Sequence, residues 1–218
     1  SMNGFKGTAT GLGNVWFDNF NKIIGSSAMN DTLTGRNAEG EFRLGETDNQ
    51  YISVNSLIFN GFEILKGGSA VDTFRFNPGS SFTGTLDGGA GNDLVDLSGL
   101  TASINTVLTE LGNIDGFKGF IGGMAHGQVN FNNLNSIIAT TAAGNRLTGL
   151  NAPAVWYLKD TYQYTSGGRS FVFSGFEILT GGSGEDTYAF DGTVQFAGSL
   201  EGGSGIDVLD YSAYTAAV

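Results

Sequence analysis

The chain lacks cysteine, and among its 218 residues it has one histidine and two prolines. Without cysteine no disulfide can stabilise the fold, and this absence alone does not indicate a class of protein. The single histidine, His126, cannot build a metal site or a catalytic triad alone, so we expect it in a surface loop. Two prolines beside 36 glycines argue against a disordered linker, because aromatic and β-branched residues remain plentiful enough to form a core.

Basic residues are also scarce, since 10 lysines and arginines stand against 21 aspartates and glutamates, and the formal net charge is −11. This charge repels nucleic acid and anionic lipid headgroups, so we expect no nucleic-acid partner. No apolar run approaches membrane-spanning length, and we expect no membrane insertion by this segment. No apolar pattern keeps helical spacing beyond a turn or two. Residues 103–111 are the best helical candidate, but their β-branched residues fit a strand equally well.

The most informative feature that is present is an internal repeat. Four segments of the first half return in the second: 56–65 as 170–179, 67–76 as 181–190 and 86–98 as 200–212, all at an offset of 114 residues, and 4–7 as 116–119 at an offset of 112. Chains of this kind are normally arrays, and arrays are surfaces or spacers more often than enzymes. We therefore predict two tandem repeats, 1–113 and 114–218, with Ser1 and Met2 as a remnant of expression and the second repeat truncated before its end.

A second, shorter rhythm runs inside each repeat. An aliphatic residue followed closely by glycine or a turn recurs at Leu44, Leu65 and Leu86, in steps of 21 residues, and a short strand-like run follows each one. This pattern predicts an all-β fold, a right-handed parallel β-solenoid (β-helix) with coils of about 20–21 residues. The expected ladders include Leu44–Leu65–Leu86 and Tyr51–Phe74–Leu94. A pair of β-sandwich domains of about 114 residues each is the alternative.

Four glycine-rich segments each end in an aspartate, and they occupy residues 67–72, 88–93, 181–186 and 202–207. All but the first, which has Ala70 at its third glycine position, match Gly-Gly-x-Gly-x-Asp. Glycines let the backbone turn so that carbonyl oxygens converge, and one carboxylate per turn adds charge for a hard cation such as Ca²⁺. The candidate Ca²⁺ ligands are therefore Asp72, Asp93, Asp186 and Asp207. The alternative is a plain corner in which each aspartate accepts hydrogen bonds from backbone amides, as in an Asx turn.

These segments resemble the calcium-binding nonapeptides of RTX proteins, and that resemblance implies a secreted, Ca²⁺-dependent bacterial protein. RTX blocks run the nonapeptide in tandem, whereas here the motifs are paired 21 residues apart and separated by ordinary sequence. A broader resemblance covers residues 30–104 and 144–218, through the runs Phe-x-Gly-Phe-Glu-x-Leu, Asp-Thr-Phe/Tyr and Gly-Gly-x-Gly-x-Asp-x-x-Asp-x-Ser. The repeat as a whole resembles those of giant secreted bacterial β-strand-repeat exoproteins of the adhesin-like and filamentous-haemagglutinin-like type.

The resemblance implies a structural or adhesive repeat module of a long extracellular protein, at the bacterial cell surface or secreted, that extends a stalk or takes part in self-association and cell adhesion. Its expected partners are neighbouring repeats of the same polypeptide, other copies of itself or cell-surface glycans. A Ca²⁺-stiffened RTX-like spacer is one alternative, and a β-helix module that binds or modifies polysaccharide is another. We expect no enzymatic activity, because the polar residues that break the repeat symmetry are few: Lys159, Asp160, Tyr162, Tyr164 and Arg169.

Overall fold

The computed structural model describes residues 4–10 and 14–217, and these residues form 23 β-strands and no helix. The prediction of an all-β protein is thus confirmed for the described part of the chain. Within residues 103–111, for which a helix and a strand were both compatible, Asn105–Leu111 forms a strand. The predicted remnant of expression, Ser1 and Met2, lies outside the described residues.

The strands form one small sheet and two large ones. The small sheet is an antiparallel pair, β1 (Phe5–Ala9) and β2 (Val15–Phe20). Sheet I contains nine strands: β4 (Thr32–Thr34), β8 (Ile64–Lys66), β10 (Gly84–Asp87), β12 (Asn105–Leu111), β13 (Phe117–Gly122), β14 (Val129–Leu134), β16 (Arg146–Thr148), β20 (Ile178–Thr180) and β22 (Ser199–Glu201). Sheet II contains twelve: β3 (Lys22–Ile24), β5 (Gly40–Leu44), β6 (Asn49–Ile52), β7 (Ser56–Asn60), β9 (Asp72–Phe76), β11 (Leu94–Asp96), β15 (Ser136–Ile138), β17 (Ala154–Leu158), β18 (Gln163–Ser166), β19 (Arg169–Ser174), β21 (Asp186–Gly192) and β23 (Val208–Tyr214).

In the two large sheets, strands that are linked by a hairpin pair antiparallel, and most of the other neighbouring strands pair in parallel. The order of sheet I is β22-β20-β16-β12-β13-β14-β10-β8-β4, and that of sheet II is β23-β21-β17-β18-β19-β15-β11-β9-β5-β6-β7-β3. The chain crosses from one sheet to the other and back, and at four places one circuit takes 21 residues. The residues that lie side by side at this step are Leu65–Leu86, Phe74–Val95, Leu179–Leu200 and Tyr188–Leu209. The period in the sequence is therefore the length of one circuit through both sheets.

Both predicted ladders contain wrong members, although Leu65 does lie beside Leu86 as predicted. The observed ladders are Leu33–Leu65–Leu86 in sheet I and Phe42–Phe74–Val95 in sheet II. Leu44 does not lie beside Leu65, because it belongs to sheet II, where its neighbour is Phe76. Tyr51 lies on the antiparallel strand β6, and Leu94 points to the opposite face of β11 from Val95, since successive side chains of a strand alternate.

Three antiparallel meanders account for this difference. They are β5–β6–β7 and β17–β18–β19 in sheet II and β12–β13–β14 in sheet I. In each meander the first and the last strand are two positions apart in the sheet, and the middle strand lies between them and runs antiparallel to both. A meander therefore lengthens the circuit, so Leu33 and Leu65 are neighbours at a separation of 32 residues instead of 21.

The buried side chains of both sheets form one hydrophobic cluster. Aromatic rings stack along sheet II, with Phe42 on Phe74 at a centroid distance of 5.0 Å and an interplanar angle of 7°. The corresponding pair in the second half is Trp156 on Tyr188, at 5.6 Å and 10°. Such pairs add about 0.5–1.5 kcal/mol beyond the effect of burial, so the aromatic ladder stabilises the stacking of successive strands.

A row of charged residues runs along the outer face of sheet II. Arg75 bridges two carboxylates on neighbouring strands, Glu41 through Nε at 2.6 Å and Asp96 through Nη1 at 2.5 Å. Partial burial raises the pKa of Glu41, but hydrogen bonds from Arg43 and Arg75 outweigh it and hold that pKa below its usual range. Since Asp96 is buried, Arg75 compensates a carboxylate that would otherwise be left without a counter-ion.

Candidate cation site at the glycine corners

The four candidate aspartates lie at equivalent corners, where the chain leaves sheet I and enters sheet II. Segments 67–72 and 88–93 link β8 to β9 and β10 to β11, and segments 181–186 and 202–207 make the equivalent links near the C-terminal end. The inward alternation of β9 places Asp72 on the same face as Phe74 and Phe76, which is why its carboxylate is buried. The side chains of Asp72, Asp93 and Asp186 are 0% exposed, whereas Asp207 is half-buried.

The glycines of these corners are required by the close stacking of successive circuits. A Cβ on Gly67 would lie 2.1 Å from the carbonyl oxygen of Gly88, and one on Gly181 would lie 2.0 Å from that of Gly202. Gly89 also has a φ of +89°, a conformation that side chains with a Cβ rarely adopt. Any larger residue at Gly67 would therefore push one corner away from the next.

In each pair of corners, the second aspartate accepts a hydrogen bond from the backbone amide of the first. The amide of Asp72 donates to Asp93 Oδ1 at 2.8 Å, and the amide of Asp93 donates to Asn135 Oδ1 at 3.0 Å. Asp72 Oδ2 in turn accepts from the amide of Gly68 at 2.7 Å within its own corner. The three corners are thus joined by a ladder of side-chain-to-backbone hydrogen bonds.

The second pair of corners has the same arrangement. The amide of Asp186 donates to Asp207 Oδ1 at 3.0 Å, and Asp186 Oδ2 accepts from the amide of Gly182 at 3.1 Å. The structure therefore brings Asp72 together with Asp93, and Asp186 together with Asp207, as the 21-residue spacing predicted.

Some of the buried carboxylate oxygens have no hydrogen-bond partner among the residues that the structure describes. These are Asp72 Oδ1, Asp93 Oδ2 and Asp186 Oδ1. Burial is the main cause that raises the pKa of Asp72 to about 6. Burial also raises the pKa of Asp93 to about 7, with a further contribution from the negative charges of Asp72, Asp115 and Asp87. A buried, incompletely paired carboxylate is unfavourable as an anion, so a proton or a cation would stabilise these corners.

The donor atoms at these corners are of the chemical type that a hard cation prefers. Each pair of corners offers only oxygen, from two aspartates and the nearby glycine carbonyls, and Ca²⁺ takes about six to eight oxygen ligands. Within the part of the chain that the structure describes, no group of three or more acidic or histidine side chains is gathered for a metal ion. Backbone carbonyls would therefore have to supply most of the ligands, and the charge at each site is low.

Asn135 is the residue of this ladder that the sequence reasoning missed. It occupies the next corner after Asp93 and accepts the amide of Asp93 as an aspartate would, without carrying a charge. Its position was readable in principle, because it follows Asp93 by 42 residues, a multiple of 21, although the meander β12–β13–β14 makes these 42 residues a single circuit. The signal was hidden because the corner leading to Asn135 lacks the Gly-Gly motif.

The polar residues that break the repeat symmetry are used in different places. Tyr164 is fully buried, and its hydroxyl accepts a hydrogen bond from the amide of Leu150 at 2.8 Å. Arg169 Nη1 donates to the carbonyl oxygens of Gly112 and Gly116 at 2.6 and 3.0 Å, so it holds a backbone turn. These two residues therefore serve packing and loop anchoring.

Asp160 and Tyr162 line a groove of about 480 Å³ on sheet II, beside β15 and β19. The other described residues that line it are Leu94, Ser136, Ile137, Ile138, Thr161, Val172, Phe173 and Ser174, and among these described residues Asp160 is the one carboxylate. Lys159 instead lies over the ring of Tyr157, at 5.2 Å from its centroid. His126 is exposed in the loop between β13 and β14, as the sequence predicted.

Comparison with protein-family models, with curated proteins and with solved structures returned no match for this chain. The described residues include no helix of the length and apolar character needed to span a membrane.

Proposed function

We propose that this chain is a segment of a right-handed parallel β-solenoid built from repeats of about 114 residues, and that it serves as a structural stalk module of a long bacterial protein at the cell surface or in the extracellular medium. One observation carries the proposal. β3 and β15 stand 114 residues apart (Ile23 to Ile137), and both lie parallel to their neighbours in one continuous sheet. A unit of this kind lengthens a rod without changing its cross-section.

The height gained per unit follows from the strand order. β3 and β15 are six strand positions apart in sheet II. At about 4.8 Å per strand, one unit of 114 residues adds roughly 29 Å to the length of the rod. Adhesion or self-association at the exposed faces would then act at a distance from the anchoring point that is set by the number of units.

The test is to add one unit and measure the shape in solution. A second copy of residues 25–138 is inserted after Ile138, so that the inserted β-strands continue both sheets. We expect small-angle X-ray scattering to show a maximum dimension larger by roughly 29 Å with an unchanged cross-sectional radius. A control insert of the same composition in shuffled order should instead give a disordered extension. A thicker particle, or two bodies that tumble independently, would refute the stalk.

A calcium-stiffened version of the same stalk is a second candidate, and the unpaired buried oxygens of Asp72, Asp93 and Asp186 favour it. Asp72 with Asp93, and Asp186 with Asp207, would hold the ion, and the ion would supply the positive charge that these corners lack. Its test is a higher melting temperature in millimolar Ca²⁺ than in chelator, a smaller difference in Asp93→Asn, and loss of that difference when Asp93→Asn is combined with Asp207→Asn.

A further inference from the structure

The hairpin β1–β2 is the structural counterpart of the hairpin β13–β14. Gly7 lies opposite Phe17, and Gly119 lies opposite Phe131, with an irregularity at the same step of each ladder. In both hairpins the glycine is needed because a Cβ would lie within 2.7 Å of the facing phenylalanine ring. Asn19 and Asn133 also share a positive φ, of 64° and 55°.

The two hairpins also contact sheet II in the same way. Phe5 packs on Tyr51 with a centroid distance of 5.6 Å, and Phe117 packs on Tyr164 at the same distance. The first hairpin therefore packs on sheet II as the second hairpin does. It differs in that β1 and β2 form a sheet of their own, whereas β13 and β14 belong to sheet I.

The outer side of the second hairpin is covered by preceding strands of the same chain. β14 pairs in parallel with β10, with Phe131 beside Leu86, and β15 pairs in parallel with β11, with Ile137 beside Val95. A corner hydrogen bond, from the amide of Asp93 to Asn135, closes this internal junction. The junction buries Leu86 and Val95 completely.

Each end of the described structure consists of strands that correspond to one side of that junction. β2 and β3 correspond to β14 and β15, and they have no strand on their outer side among the described residues. β22 and β23 correspond to β10 and β11, and they too are edge strands. Apolar side chains whose counterparts are buried in the internal junction are uncovered at the two ends, with Val15 51% exposed at one end and Leu209 53% exposed at the other, whereas Val129 and Val95 are completely buried.

We propose that a second copy of this chain docks head to tail on these ends, with β22 pairing on β2 and β23 pairing on β3 in parallel. The internal junction sets the register: Leu200 lies beside Phe17, and Leu209 lies beside Ile23. The amide of Asp207 donates to the side-chain oxygen of Asn21, as the amide of Asp93 does to Asn135. The contact joins two different surfaces and leaves both outer ends free, so it propagates into filaments and does not close into a dimer.

Head-to-tail docking deepens the proposed stalk function and rests on it, because the same parallel stacking of strands is used between molecules and within one molecule. The intermolecular contact is the weaker of the two. β12 lies between β13 and β16 in sheet I, whereas no described strand lies between β1 and β4. We therefore expect association that rises with protein concentration and reverses on dilution.

Cross-linking tests the register, and the absence of native cysteine makes it specific. Lys22→Cys and Val208→Cys in one chain correspond to the internal neighbours Ser136 and Leu94. A short bis-maleimide should convert this variant into a ladder of multimers several-fold faster than a variant in which Ser212→Cys replaces Val208→Cys. Leu94→Cys with Ser136→Cys is the positive control and should cross-link within one chain. Equal rates for the facing and the displaced pair, or no multimers from either, would overturn the proposal.

Sedimentation tests the association itself. We expect the unmodified protein to form larger species with concentration and Leu209→Lys to stay monomeric with an unchanged melting temperature, whereas Ser212→Lys, on an exposed residue of the same strand, still associates. A protein that is monomeric at every concentration overturns head-to-tail docking. If that protein still lengthens when residues 25–138 are inserted, the stalk function stands without docking, and if it does not lengthen, the stalk function fails as well.

Discussion

Replacing Asp93 by asparagine should make the protein more stable at alkaline pH and less stable at acidic pH. Asp93 is buried, one of its oxygens has no partner, and its pKa is raised to about 7. The folded state therefore binds a proton more tightly than the unfolded state, in which the pKa of aspartate is about 3.9. The resulting penalty is absent below the unfolded pKa, grows between about pH 4 and pH 7, and is complete above the folded pKa.

The size of the effect follows from the shift. A rise from 3.8 to about 7 corresponds to roughly 4 kcal/mol, since one pKa unit is about 1.4 kcal/mol. In Asp93→Asn the Oδ1 atom still accepts the amide of Asp72, but a buried NH₂ group replaces the unpaired oxygen, at a cost of about 1–3 kcal/mol. We therefore expect a net gain of about 1–3 kcal/mol at pH 8 and a loss of similar size near pH 4.

The assay is urea unfolding followed by tryptophan fluorescence between pH 4 and pH 8, because Trp156 is fully buried in the folded state. The quantity compared is the difference in the free energy of unfolding between the original protein and Asp93→Asn. Both proteins contain Glu41, Glu201 and Asp210, whose lowered pKa values change stability with pH in the opposite direction. Asn135→Asp is the matched control, because it places a carboxylate at the next corner of the same ladder. It should steepen the loss of stability with rising pH.

The curves of the original protein and Asp93→Asn should cross between about pH 4 and pH 7. A variant that is destabilised by the same amount at every pH would refute the reasoning, because the carboxylate would then carry no buried-charge penalty. Repeating the measurement at pH 8 in millimolar Ca²⁺ adds a second comparison. An ion at these corners should stabilise the original protein more than Asp93→Asn, which keeps only the pair Asp186 and Asp207.

Three further predictions concern the scaffold. Leu65→Ala should lower the free energy of unfolding by about 2–5 kcal/mol in urea titration, because Leu65 is 0% exposed in the middle of its ladder; a change below about 1 kcal/mol would contradict the ladder. Arg75→Gln should cost about 1–3 kcal/mol because it removes the counter-ion of the buried Asp96, whereas Arg43→Gln, in an exposed pair, should cost less than about 1 kcal/mol, and equal losses would contradict this assignment. Gly67→Ala should lower the melting temperature by several degrees more than Gly122→Ala, whose added Cβ has its nearest neighbour at 3.7 Å, and the reverse order would show that the corners tolerate a side chain.

The sequence by itself determined the strand content, the parallel stacking of some strands and the pairing of the corner aspartates. These properties are encoded locally or by a fixed period. The alternation in residues such as Phe74 and Phe76 specifies a strand, and the 21-residue step from Leu65 to Leu86 specifies which strands become neighbours. The same step places Asp72 next to Asp93 without any knowledge of the rest of the fold.

Only the tertiary structure decided where the chain folds back and what the corner carboxylates contact. A strand alternates with a period of two whether it pairs in parallel or antiparallel, so nothing near Leu44 or Tyr51 reveals that β5, β6 and β7 form a meander. Among the described residues, some carboxylate oxygens of the corners accept a hydrogen bond from a backbone amide and others have no partner. The distance between successive corners in space decides which of the two applies. Asn135 completes the ladder for the same reason, because the folded chain brings it beside Asp93 across a 42-residue separation.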